Sequence, residues 1–234
     1  MSTLVLVRHG LTALTGPTLV GRTPGVHLDD RGQKQAAAVA ERLAVLPLAA
    51  IVSSPLERCV DTAEYIQAAQ SAAGRELDLQ LDDELIECGY GDWTGRPIKE
   101  LLKDPVWKTV QTQPSAARFP DGESLSEVSA RAVGAVRNWN AQLDEDAVWV
   151  ACSHGDVIKA ILADALGLHL DQFQRIVVDP CSVSVIRYTE TRPYVLRSND
   201  VGGDLSAFVP APPKRGRRRR SDATVGGGAG AGTV

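Results

Sequence analysis

The sequence predicts an α/β fold: a single domain built on one doubly wound, mostly parallel sheet with helices on both faces. Three observations predict it. Short apolar, β-branched runs alternate along the chain with longer segments whose apolar residues recur at helical spacing. Two of those runs, residues 4–7 and 148–151, lead into the same pair of residues, at His9-Gly10 and His154-Gly155. The length, 234 residues of which 44% are hydrophobic, suits one core of ordinary size.

The elements follow in order. Residues 4–7 read as a buried strand. A loop rich in Gly, Pro and Thr runs from about residue 12 to 28. Asp29 or Asp30 then caps a helix whose apolar positions include Ala36, Val39, Ala40, Leu43 and Leu46, and Pro47 stops it. Residues 49–52 form the second strand. A helix over about 56–69 follows, with Pro55 suited to its first turn. Residues 77–81 give a weaker strand pattern. Residues 88–122 are punctuated by Gly89, Gly91, Gly95, Pro97, Pro105, Pro114 and Pro120, and read as an irregular, functional stretch. Leu125, Val128, Ala132, Val136, Trp139 and Leu143 then mark one face of a helix. The strand at 148–151, a helix carrying Val157, Ile158, Ile161, Leu162 and Leu166, and two strands at 182–188 and 194–197 complete the body.

The composition sets limits. No stretch is long enough to span a bilayer, and charge at Arg8 after a short apolar run predicts no leader. Cys59, Cys88, Cys152 and Cys181 lack CxxC spacing and, with four His in all, show no zinc pattern. Buried free thiols predict a reducing, cytoplasmic setting. The net charge of −4 is unevenly spread. Residues 210–234 hold Lys214, Arg215 and Arg217 to Arg220 against Asp222 alone, so residues 1–209 are acidic. Pro210-Ala-Pro-Pro213 and Gly226-Gly-Gly-Ala-Gly-Ala-Gly232 cannot pack a core, which predicts a disordered basic tail. Its Arg run offers an electrostatic contact with nucleic acid, an anionic membrane surface or the protein's own acidic body; a merely solvated tail is the alternative.

The fold prediction gathers particular side chains. His9 and His154 stand at strand ends, and Arg58 lies in the first turn of the helix after the second strand. If these strands are parallel, all three converge on one crevice, with Arg8 beside them. Two imidazoles, two guanidiniums and helix N-termini make an anion site. A neutral imidazole there can attack phosphorus in line, while the guanidiniums and the second His hold the transferring oxygens. No metal and no organic cofactor are required. The leaving alkoxide needs a proton, for which Glu87 is the candidate, with Asp83 and Glu84 close in sequence.

These segments resemble those of the histidine phosphatase superfamily, also called the phosphoglycerate mutase-like family. Arg8-His9-Gly10 resembles its signature, whose His is the phosphorylated nucleophile. The run Ser53-Ser54-Pro55-Leu56-Glu57-Arg58-Cys59-Val60-Asp61-Thr62-Ala63 is similar to its second phosphate-binding segment. Glu87 with Gly91-Asp92-Trp93-Thr94-Gly95 resembles the acid segment. Phe119-Pro120-Asp121-Gly122-Glu123-Ser124 resembles a segment that precedes a helix, and Ser153-His154-Gly155 the second catalytic His segment. The resemblance implies a three-layer α/β/α sandwich and metal-free hydrolysis of small phosphomonoesters through a phosphohistidine on His9. The spacing between Glu87 and His154 resembles the phosphatase branch rather than the mutases.

Asp156 and Thr94 depart from the pattern. Asp156 either caps the following helix or faces the pocket, where it would repel phosphate. Thr12, Gly21 and Arg22 are further candidates for substrate binding, with a surface charge as the alternative for Arg22. Trp93, Trp107 and Arg118 are candidates for a lid, with a core role as the alternative for Trp93. His27 and His169 match no motif. Two other functions compete: a mutase that returns the phosphoryl group to a second hydroxyl, and a phospho-ligand-binding protein without turnover. The sequence leaves open a homodimer and names no substrate.

Overall fold

The computed structural model describes residues 1–203 together with Gly226 and Gly228. The rest of the tail, including the basic run 214–220 and the disorder expected there, lies outside the described residues. A six-stranded sheet forms the middle layer. Its strands are β1 (Ser2–Arg8), β2 (Leu48–Ser53), β3 (Leu79–Leu81), β4 (Ala147–Ser153), β5 (Val183–Tyr188) and β6 (Pro193–Asp200). They lie in the order β3-β2-β4-β1-β5-β6. The first four are mutually parallel, whereas β5 runs antiparallel to β1 and pairs with β6 as a hairpin. The sheet is therefore doubly wound and mostly parallel, as the sequence predicts.

Side-chain alternation along the strands builds two cores. Leu4 and Leu6 of β1, Val52 of β2, and Trp149 and Ala151 of β4 face one side. There they meet α5 (Leu125–Gln142) through Val128, Ala132 and Val136, and α6 (Gly155–Ala165) through Val157, Ile158, Ile161 and Leu162. Val5, Val7, Ile51, Val150 and Cys152 face the other side. They meet α1 (Asp30–Leu43) through Ala36, Val39, Ala40 and Leu43, and α2 (Glu57–Ala72) through Cys59, Ala63 and Ile66. All four cysteines are free and buried.

Helix ends obey their local chemistry. The Asp29 side chain accepts from the backbone N–H groups of Arg31 and Gly32 and so caps α1. Ser124 and Glu127 form a reciprocal capping box on α5. Pro55 falls outside α2 rather than in its first turn. Leu56 is the N-cap, with an extended ψ of 134°, so the chain is still turning there and Arg58 is the second helical residue.

Residues 88–122 hold more structure than the sequence predicts. Two short helices appear, α3 (Ile98–Leu101) and α4 (Pro105–Thr112). Pro97 is the N-cap of α3 and Pro105 opens α4, so both prolines start helices instead of interrupting a loop. Among the described residues no helix is long and apolar enough to cross a membrane.

One close approach fixes the chain after β1. A Cβ on Gly32 would lie 2.0 Å from the Leu11 carbonyl oxygen, and one on Gly10 would lie 2.7 Å from the Gly32 carbonyl oxygen. The first turn of α1 thus packs directly on the backbone that follows His9. Gly32→Ala forces those backbones apart and is expected to cost about 1–3 kcal/mol of stability. Urea denaturation checks this, and an unchanged midpoint would contradict the packing.

Candidate active site

The site begins with the pairing of two parallel strands. β1 and β4 are in register with Arg8 opposite Ser153, so the next residues, His9 and His154, leave the sheet side by side. Their ring centroids are 5.2 Å apart. The N–H of His9 donates to the Ser153 carbonyl, holding the two corners together. β2 ends alongside β4, and α2 starts four residues later, which brings Arg58 over both rings. Arg58 Nε donates to His9 Nε2 at 3.4 Å, and its Nη2 donates to His154 Nδ1 at 3.2 Å and to the Gly21 carbonyl at 2.7 Å. Arg8 reaches the same place from the end of β1, with Nη1 donating to the Val178 carbonyl at 2.8 Å.

Hydrogen bonds fix both imidazoles. His9 Nδ1 lies 2.8 Å from the Gly10 carbonyl, which can only accept, so Nδ1 carries the proton and Nε2 keeps its lone pair. Arg58 can only donate to His154 Nδ1, so His154 Nε2–H donates to Ser54 Oγ at 2.7 Å. Both rings are held well below the ordinary histidine range. Burial is the main cause for each, and the Arg58 and Arg8 charges add to it. Arg58 Nη1 is buried with no hydrogen-bond partner among the described residues. A buried guanidinium N–H without an acceptor is the donor an incoming anion would satisfy. Burial pushes the neighbouring Cys59 thiol up to about 12, which keeps it protonated and poorly nucleophilic.

Glu87 is the buried carboxyl of its segment, whereas Asp83 and Glu84 are exposed. Burial pushes Glu87 up to about 7, and the Asp156 carboxylate adds to the effect. Its backbone is clamped. Arg22 Nε and Arg131 Nη2 both donate to the Glu87 carbonyl, at 2.8 and 3.2 Å. Both guanidiniums pair in turn with Glu123, which also accepts from the Gly89 N–H at 2.7 Å. The Phe119–Ser124 segment thus acts through Glu123, as an anchor for the loop that carries Glu87.

Asp156 does not cap α6. His154 is the N-cap, without a side-chain cap bond, and the Asp156 carboxylate is fully buried behind it. It accepts from Tyr90 Oη at 2.7 Å and lies 3.6 Å from Lys159 Nζ. That buried cation offsets the repulsion an isolated carboxylate would exert on a phosphate.

The structure brings Arg8, His9, Arg58, Glu87 and Gly21 to one pocket, with His154 directly behind. Two candidates point elsewhere. Thr12 is buried, with its hydroxyl 2.9 Å from that of Thr15, and Arg22 serves the Glu87 clamp. The candidate lid residues also fall elsewhere. Trp93 and Trp107 stack in the core, with centroids 5.9 Å apart. Arg118 is exposed and pairs with Glu127. Ser54 and Tyr90 lie inside recognisable segments, yet sequence reasoning gave neither a role. The Val178 carbonyl has no sequence signal at all.

Comparison with known proteins shows the family and the fold. Residues 4–201 match the family model of the histidine phosphatase superfamily (branch 1). The chain is 32% identical over 209 residues to phosphoserine phosphatase 1 of Hydrogenobacter thermophilus, covering 85% of this chain and 92% of that protein. It is 30% identical to a probable phosphoglycerate mutase of Enterobacter sp. (strain 638), covering 88% and 94% respectively. The fold superposes on a mycobacterial glucosyl-3-phosphoglycerate phosphatase with a TM-score of 0.75 at 26% identity, over 85% of this chain and 98% of that one.

The buried titrating groups oppose one another in stability. His9 and His154 stay neutral when folded, so as pH falls below about 6.5 the unfolded chain takes up protons that they refuse, and stability drops. Glu87 acts oppositely. Its raised value lets the folded chain hold a proton that the unfolded chain releases above about 4.5, which adds stability as pH falls from 7 toward 4.5. Glu87→Gln removes that offset. Between pH 6 and 5 the variant is expected to lose about 1 kcal/mol more than wild type per pH unit. Denaturant titrations at the two pH values check this, and parallel slopes would refute it.

Proposed function

We propose that this chain, a phosphoric monoester hydrolase belonging to the histidine phosphatase superfamily, works through a covalent phosphohistidine on His9. The observation that carries the proposal is the His9 tautomer. Nδ1–H is committed to the Gly10 carbonyl, so Nε2 keeps its lone pair, which accepts a long 3.4 Å hydrogen bond from Arg58 Nε at the pocket where Arg8 and Arg58 gather positive charge. A phosphoryl group entering there meets a neutral nucleophile and two guanidiniums. Nε2 attacks phosphorus as the bond to the leaving oxygen breaks. Arg8, Arg58 and His154 stabilise the charge on the equatorial oxygens.

Glu87 is the proton donor in this reading. Burial keeps it substantially protonated near neutral pH, and its proton passes to the departing alkoxide. The carboxylate left behind then takes a proton from water as that water attacks the phosphohistidine, and inorganic phosphate leaves. No step calls on a metal, because the guanidiniums supply the charge. The substrate class is small phosphomonoesters, supported by the phosphatase names of the relatives. Gly21 lines the pocket and is a substrate contact in this reading, while Arg22 contributes through Glu87. The catalytic domain is assigned to residues 1–209. Four buried free thiols support a cytoplasmic setting.

A mutase differs only in where the phosphoryl group goes. Phosphate release from a panel of phosphomonoesters including 3-phosphoglycerate decides between them: free phosphate with chelator present supports a metal-independent hydrolase, and isomerised phosphoglycerate supports a mutase. His9→Ala is expected to lose phosphate release and the acid-labile phosphoenzyme together. An active His9→Ala enzyme would sink the mechanism.

The acid role of Glu87 has its own signature. For alkyl phosphates, kcat/KM is expected to fall as pH rises through about 7, where Glu87 loses its proton. Glu87→Gln is expected to lower alkyl phosphate turnover by about 10²–10⁴-fold. An aryl phosphate, whose leaving group needs little protonation, is expected to lose far less. Equal losses on both substrates would remove Glu87 from the acid role.

A further inference from the structure

Gly226 lies in the active-site pocket, far in sequence from every residue there except Gly228. Its N–H donates to Asp156 Oδ2 at 3.1 Å, and its carbonyl accepts from Arg8 Nη2 at 3.2 Å. One residue of backbone is thus held at both ends by buried charged side chains, since Arg8 is 2% and Asp156 0% exposed. Gly228 lines the same pocket beside His9, Arg58 and Glu87. The space left there is about 40 Å³, enough for a few water molecules.

The local sequence suits this placement. Residues 226–232 read Gly-Gly-Gly-Ala-Gly-Ala-Gly, so the segment brings peptide groups with almost no side chains. Gly226 has a φ of +72°, a left-handed conformation that side chains disfavour. A Cβ there would touch Leu19 Cδ1 at 3.4 Å and Tyr90 Oη at 3.7 Å, ordinary contact distances, so the left-handed backbone is what a branched side chain would strain. Asp156 also finds a purpose. Buried beside Tyr90 and Lys159, it accepts the N–H of the incoming backbone as Arg8 donates to the C=O.

We propose that Arg8 and Asp156 form a peptide-binding subsite that takes the chain's own glycine-rich C-terminal segment, making that segment an intramolecular competitor of phosphate. The competition rests on the phosphate role given to Arg8 above; the docking of the segment does not. The Gly226 carbonyl takes an Arg8 Nη2–H, and Gly226 and Gly228 occupy the pocket down to about 40 Å³, so the segment takes a donor and the space that a phosphoryl group would use. Substrate therefore binds to the fraction of molecules whose segment has left the pocket.

The test uses the full chain and inorganic phosphate. Calorimetric titration compares wild type with Gly226→Val and, as a second variant, Gly228→Val. An occupant that fills the site nine-tenths of the time weakens apparent affinity about tenfold, so the valine variants are expected to bind phosphate about tenfold more tightly. A labelled synthetic peptide of residues 221–234 is expected to bind the Gly226→Val chain saturably by fluorescence anisotropy, and phosphate to displace it. Unchanged or weaker phosphate affinity in both variants would overturn the proposal. Should phosphate bind neither wild type nor variants, the role of Arg8 fails instead. Saturable peptide binding would then still support the docking, and its absence would overturn that as well.

Discussion

The parallel register of β1 on β4 is the constraint on which the site depends. With Arg8 opposite Ser153, two His-Gly corners leave the sheet at the same level, and one guanidinium can contact both rings. A slip of one residue would turn every side chain of a strand to the opposite face. Leu4 and Leu6 would then leave one core and Val5 and Val7 the other. The hydrophobic packing that stabilises the sheet is therefore the same packing that aligns the histidines. Precision at the site comes from the burial of residues several positions away from it.

Charge is distributed so that each group favours the form its chemistry needs. Burial and two guanidiniums keep both imidazoles neutral, and burial with Asp156 keeps Glu87 protonated. The same desolvation thus leaves neutral imidazoles beside a protonated carboxyl, the pairing that the proposed mechanism uses. Asp156 in turn is offset by Lys159 and hydrogen-bonded by Tyr90, so the buried charge next to Glu87 is balanced. Position alone would not achieve this, because near neutral pH an exposed Glu would be ionised and an exposed His partly protonated.

Much of this arrangement is legible in the sequence, and the reasons are local. The strands that end in His9 and His154 are short apolar runs followed by glycine, and α1 and α5 carry clear caps and periodicity. What escapes is long-range or ambiguous. Glu87 cannot be separated from Asp83 and Glu84 by sequence, since only burial distinguishes them. Arg22 reads as a surface charge because its partner Glu123 is 101 residues away. Asp156 sits where a helix cap would, yet its partner Tyr90 is 66 residues away. Pro97 and Pro105 read equally well as loop residues and as helix starts, and here they start α3 and α4.

The segment that reaches Arg8 and Asp156 belongs to the same chain, and this changes how it responds to its surroundings. A separate inhibitor would dissociate on dilution, whereas a tethered one meets the pocket at an effective concentration set by the intervening chain. Lowering the amount of protein therefore relieves nothing. On the proposed competition, the tether is the stretch between 203 and 226, which includes Arg215 and Arg217 to Arg220. Whatever engages that basic stretch would act on the phosphoryl site without touching it, through the length of chain left free to return.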